Sequence, residues 1–211
     1  GFLGKRINRL NPDRDFDFWL RQYNNFLPSP QTRWCTKQLK LRPFESWIKQ
    51  ELKKGKTVYS YVAIRSDEEY REGYSSKDDH LKVVLPFKDD GIDKKGVMEL
   101  LNNAGLGLPD YYKWRSRSGC TFCFYQQKIE WVWLYEQHPD LYKQAMEYEN
   151  EKEGFTWNQH ESLQDLINPR RMEQIKSDHL NRINKEKSKG SKFLIDILDD
   201  TESEGCTACF I

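Results

Sequence analysis

Five cysteines stand at three places in this chain of 211 residues: Cys35 alone, Cys120 with Cys123, and Cys206 with Cys209. The segment "RSRSGCTFCFYQQ" sets Cys120 and Cys123 at C-x-x-C spacing in a loop just ahead of a helix. That spacing lets both sulfurs face one ion or cluster, and amides at a nearby helix end lower a thiol's pKa. Pro28 and Pro30 hold the stretch before Cys35 in an extended loop, which can bring in a third sulfur. In a reducing compartment such thiols read as metal ligands or redox groups before they read as structural disulfides. Three or four thiolates suit Zn²⁺ or an iron-sulfur cluster, and spacing does not choose between them. The plain alternative is an ordinary buried thiol at Cys35 and a C-x-x-C without function. The tail pair "CTAC" reads as a redox relay or as nothing at all.

Cations cluster near these thiols. Arg33, Lys37, Lys40 and Arg42 surround Cys35, with Lys37 and Lys40 spaced to share a helix face. Arg33 is placed to hold a phosphate or sulfate through two parallel hydrogen bonds. For Lys40 and Arg42 a solvated helix face explains the charge equally well. The stretch "AIRSDEEYREG" delivers Arg65, Asp67, Glu68 and Arg71 at the end of a strand, where open α/β sheets bind their ligands. A salt-bridge network is the competing account; Arg65 and Arg71 are read as substrate contacts. "KWRSRSGC" adds Lys113, Arg115 and Arg117 ahead of Cys120, interleaved with Tyr111, Tyr112 and Trp114, a pattern suited to single-stranded nucleic acid. His80, His138, His160 and His179 have no ligand spacing and receive no role.

The elements that must position these groups follow from periodicity. A helix is expected in "NPDRDFDFWLRQYNNFL", capped by Asn11 or Asp13, and a second over most of 37–54. Residues 57–64 and 81–87 read as strands. Asp93 caps a helix that stops at Gly105. Further helices are expected at 125–137, 140–152 (with Pro139 beginning it), 160–168 and 169–187, followed by a charged, mobile tail. The 34 basic and 33 acidic residues nearly cancel, so an anion site must come from local clustering. No apolar run is long enough to span a bilayer and the start lacks a secretory signal, so the expected compartment is the cytoplasm, with no membrane partner.

Several of these segments occur together and in order. "RWCTKQLKLRPFESWI", then "AIRSDEEYREGY", "LPFKDDGIDKKGV" and "RSGCTFC" resemble the phosphoadenosine-phosphosulfate (PAPS) reductase family over about residues 27 to 135. The similarity is strongest to the branch with the sulfurtransferases of DNA phosphorothioation and the reductase-like proteins of phages and mobile elements.

The resemblance implies an α/β fold of the adenine-nucleotide α-hydrolase type, as in PP-loop ATPases and PAPS reductases, over 1–135. A helical extension at 136–187 and a tail at 188–211 complete the expected organisation. It implies a 4Fe-4S cluster, rather than zinc, on Cys35, Cys120 and Cys123. The family's S-G-G-x-D-S phosphate loop has no counterpart here, so the expectation is a fragment, a split subunit or a chain lacking its front portion. ATP or another adenine nucleotide is then the implied partner only if that portion exists upstream.

Family reductases carry adjacent cysteines where Trp34 and Cys35 stand, so a fourth ligand must come from the tail or one iron is left open for sulfide. Cys206 is assigned as the ligand and Cys209 as the reactive, catalytic thiol. The implied function is that of an iron-sulfur sulfurtransferase component acting on DNA or RNA, by phosphorothioation or base thiolation, or in a defence system. A sulfur-donor protein or partner subunits would work with it. A true reductase of PAPS or adenylylsulfate, or a non-catalytic scaffold stapled by the cluster, are the alternatives.

Overall fold

The computed structural model describes residues 2, 4–10, 13–115, 118–150, 153–158 and 160–187. They form two compact units, one from residues up to 24 and 33–107, the other from 25–32 and 108–187. Mixed α/β architecture is confined to the first. The second is helical.

In the first unit, α1 (Phe16–Gln22) is shorter than its periodicity suggested. Its cap is Asp15, not Asn11 or Asp13: the carboxylate accepts from the Phe18 N–H at 2.9 Å. Asn24 and Asn25 end it with φ of 52° and 60°, a left-handed turn that asparagine tolerates. After the 27–32 loop, α2 (Trp34–Thr36) runs through a π-helical turn, Lys37–Leu41, into α3 (Arg42–Lys53). The Arg42 N–H donates to the Lys37 carbonyl, the five-residue step that defines the wide turn. Phe44, Trp47, Ile48 and Leu52 recur at helical spacing on α3, and pack with Val58 and Leu81 as the core of this unit.

Two short strands follow, β1 (Val58–Tyr61) and β2 (Leu81–Val84). They pair in parallel, Val58 opposite Leu81 and Tyr61 opposite Val84. Both are shorter than expected: β1 has no pairing past Val62, and β2 ends where Pro86 starts a helical turn, α4 (Pro86–Asp89). Asp93 caps α5 (Lys94–Asn103) as expected, its carboxylate accepting from the Gly96 N–H at 2.8 Å.

The second unit is built around α6 (Lys128–Gln137), whose Ile129, Trp131, Val132 and Leu134 are all buried. A helix apolar on nearly every side must be covered on every side. α7 (Pro139–Glu147), α8 (Leu163–Leu166) and α9 (Pro169–Lys187) provide the cover. Only four residues of the expected 160–168 helix form; Ser162 and Asp165 cap its start reciprocally, at 3.2 and 3.1 Å. Tyr142, fully buried, donates to the Leu163 carbonyl at 2.7 Å, and burial pushes its phenol pKa up. The domain boundary drawn at 135/136 falls inside α6.

Glu161 ties α6 to α9. Arg171 bonds it at 2.5 and 2.9 Å and Lys128 at 2.5 Å. Chiefly the Arg171 hydrogen bond, with Lys128, holds its pKa down from 4.5 to about 2 against the opposing effect of burial. A depressed carboxylate pKa contributes stability above the unfolded value and loses it as pH falls through the folded one. The clamp is thus fully present near pH 7 and lost between pH 4.5 and about 2. Glu161→Gln is expected to be less stable than wild type at neutral pH, and the difference should shrink across that acid window. Urea denaturation of both proteins as a function of pH checks it. A constant difference down to pH 2 would mean that Glu161 acts by packing alone.

Candidate functional site: the C-x-x-C loop and its cationic surroundings

Arg115 organises the C-x-x-C loop. Only 6% exposed, it follows a 3₁₀ turn at Asp110–Lys113. Its Nη1 donates to the Cys120 carbonyl at 2.9 Å, its Nη2 to Gln126 Oε1 at 3.2 Å, and its guanidinium lies 5.4 Å from the Trp114 ring. One buried cation thus spans the loop from its first cysteine to Gln126, two residues before α6. Cys120 is exposed and Cys123 half-buried, and neither is in a disulfide.

Aromatic packing anchors the same loop from below. Phe122, between the two cysteines, meets Tyr148 at 5.3 Å and Trp157 at 5.4 Å, and Trp157 meets the buried Trp131 at 6.0 Å. Trp157 is itself fixed, donating its indole N–H to the Ala145 carbonyl at 2.8 Å and its backbone N–H to Glu149 at 2.9 Å. Glu149 also accepts from the Leu163 N–H at 2.7 Å. The thiols therefore sit on a short loop gripped at both ends and in the middle, the preorganisation that a metal site needs.

Cys35 belongs to the other unit, half-buried at the start of α2 beside the half-buried Arg33 and the exposed Lys37. Its neighbour Trp34 is a core residue, 4% exposed and stacked on Tyr23 at 5.1 Å. Cys206, Cys209 and Arg117 lie outside the described residues, as does the expected mobile tail. Among the described residues no group of three or more His, Cys, Asp or Glu side chains is placed to hold a metal ion. The donor chemistry of the C-x-x-C loop, two thiols beside a buried cation, fits a cluster of net negative charge. Two thiols alone are too few for one, so any such cluster would need further ligands from outside that loop.

Arg65 and Arg71 stand in the segment leaving β1, each in an ion pair. Arg65 bonds Asp67 at 3.0 Å, and Arg71 bonds Glu68 at 2.7 Å with both side chains nearly buried. Glu68 accepts as well from the Arg65 N–H at 3.0 Å, and Lys88 reaches the Arg71 carbonyl. The segment between the strands is shaped by these charges, so Asp67 and Glu68, left without a role by sequence reasoning, hold the arginines in place.

A second cationic feature was missed. Arg9, Arg14 and Arg42 line a groove of about 480 Å³ in the first unit together with Trp19 and Trp47. Arg42 is aimed by the buried Gln38, which accepts from it at 2.8 Å and donates to the Tyr23 hydroxyl at 2.8 Å. Guanidinium groups beside indoles suit a phosphate chain carrying bases. The signal was present as basic residues interleaved with tryptophan in two segments, but their convergence depends on how α1 packs on α3. Among the described residues no helix is long and apolar enough to cross a membrane.

No family model, curated protein or solved structure matches the chain.

Proposed function

We propose that the chain is the thiolate-bearing component of a PAPS reductase-like iron-sulfur sulfurtransferase acting on nucleic acid. The observation that carries this reading is the C-x-x-C loop held by a buried guanidinium, Arg115 to the Cys120 carbonyl at 2.9 Å. A buried cation bonded to the backbone between two thiols fastens the loop and would also stabilise a cluster with net negative charge, which is what supports the reading. Cys120, Cys123 and Cys35 would hold the cluster, with Cys206 the fourth ligand. When bound, the cluster supplies redox-active iron and a place for sulfide.

The chain's own residues do the rest. Arg115 fixes the loop and offsets its negative charge. Phe122 keeps the loop on the unit's core. The groove of Arg9, Arg14 and Arg42 binds the anionic substrate, and Arg33, Lys37, Arg65 and Arg71, which stand outside its lining, are further anion contacts; an adenine nucleotide belongs to the same expectation. Protein purified without oxygen is expected to be brown and to contain iron and acid-labile sulfide in equal amounts. A colourless protein with one zinc would overturn the reading, and sulfite formed from activated sulfate and thioredoxin would convert it to a true reductase.

A further inference from the structure

Beside the C-x-x-C loop, wholly within the second unit, lies a pocket of about 350 Å³. Phe26, Phe124, Phe155 and Trp157 form its aromatic walls, with Pro28 and Pro30 alongside. Phe124 immediately follows Cys123, and Trp157 is the ring on which Phe122 rests, so pocket and thiol loop share their walls. Phe26 meets Phe155 edge-on at 5.0 Å, which holds both rings in place.

The polar groups of the pocket are neutral. Among its described lining residues none carries a charge. Asn158 contributes an amide whose Nδ2 is buried with no acceptor among the described residues, although its backbone is fixed by the Thr156 hydroxyl donating to the Asn158 carbonyl at 2.6 Å. A buried amide donor without an acceptor costs free energy comparable to a lost hydrogen bond. The Nδ2 atom is covered as it stands, and a turn of the amide toward the pocket would let it donate to a ring nitrogen or carbonyl oxygen of an occupant.

We infer that this pocket takes an uncharged heteroaromatic ring, a nucleobase turned out of a single strand, and holds it beside the C-x-x-C loop. Its volume is at the small end of ligand pockets, enough for one base with part of its sugar. Aromatic walls give stacking, a neutral lining keeps the phosphates outside, and the Asn158 amide reads the base edge, the combination by which extruded bases are bound. The inference deepens the proposed function and rests on it for the strand that carries the base; it makes a base, rather than a backbone phosphate, the group presented at the thiols.

The probe is a short single-stranded oligonucleotide with one 2-aminopurine, whose fluorescence is quenched by stacking. Free 2-aminopurine riboside and the same oligonucleotide with an abasic site at that position are the comparison arms. The full chain is expected to quench the 2-aminopurine and to bind the abasic strand about tenfold more weakly, the scale of one base stacked on aromatic rings. Phe155→Ala and Asn158→Leu should each weaken binding about tenfold. Asn158→Leu leaves the aromatic walls in place, and matching circular dichroism and thermal midpoint confirm that it folds. If the free riboside binds as tightly as the strand, the ring preference stands and the source is a free nucleoside. Absence of quenching with every probe, or a folded Asn158→Leu that binds like wild type, overturns the inference. These results do not depend on metal content, so a zinc or metal-free protein that still binds the base would sink the cluster reading alone.

Discussion

If the proposed cluster is present, the Cys123→Ser protein purified without oxygen is expected to lack the iron and sulfide that wild type would carry, while keeping its fold. Serine is nearly isosteric, and Cys123 is only half-buried, so the cost in stability is small. Its hydroxyl is a harder donor that does not ionise near pH 7, and soft thiolates are what iron-sulfur sites select. Substitution of outer-shell partners already costs about 10–100-fold in metal affinity, and loss of a direct ligand costs at least that much. Cys120→Ser should behave the same way, and Cys209→Ser should keep the cluster. Iron and sulfide assays with the visible spectrum read all three. Wild-type iron and sulfide in Cys123→Ser would remove the C-x-x-C loop from the site.

Trp157→Ala is expected to be the most destabilising single change near that loop. The side chain is 4% exposed and lies against Phe122 and Trp131 while its indole N–H is bonded to Ala145. Removing it opens a cavity and takes from the Ala145 carbonyl its indole donor, leaving the longer bond from the Tyr148 N–H at 3.3 Å; the cavity places the cost at about 3–5 kcal/mol. Because Phe122 loses its support, the thiols between which it stands should also become more reactive toward an alkylating reagent. Trp157→Phe, which keeps most of the ring but not the hydrogen bond, should fall between the two. Urea unfolding measures the first effect and alkylation rates the second. A loss below about 1 kcal/mol would show that the loop is held by Arg115 without help from the aromatic cluster.

Those two residues show what the sequence could and could not say. Cys123 was legible because C-x-x-C spacing is local. Trp157 was not singled out, since its partners lie 26 and 35 positions away and nothing in "EGFTWNQH" reveals them. Capping chemistry gave Asp93 and α5 directly, but missed Asp15, where three carboxylates in five residues compete for one helix start. Strand lengths were overestimated because β-rich composition continues beyond Tyr61, while hydrogen-bonded pairing with β2 does not extend past Val62. Arg65 and Arg71 were assigned by chain position. Their ion pairs with Asp67 and Glu68 lie only two and three residues apart, so the competing salt-bridge account was open to local spacing, which left undecided how far each pair is buried.

The wide turn at Lys37–Leu41 sets how far the chain's length can vary. It holds one residue more than a regular helix would need, and each residue of an α-helix turns the chain by about 100°. A one-residue deletion there would close the turn and rotate Trp34 and Cys35 by about that angle relative to α3. Trp34 would leave its stack on Tyr23, and Gln38 could no longer join Tyr23 to Arg42. The 62–80 segment, which crosses between two parallel strands without a helix, has no such rotational phase to keep. Insertions and deletions should therefore accumulate in its exposed part at 74–80, beyond the Arg65 and Arg71 ion pairs, while the stretch from Trp34 to Lys53 keeps its length to the residue.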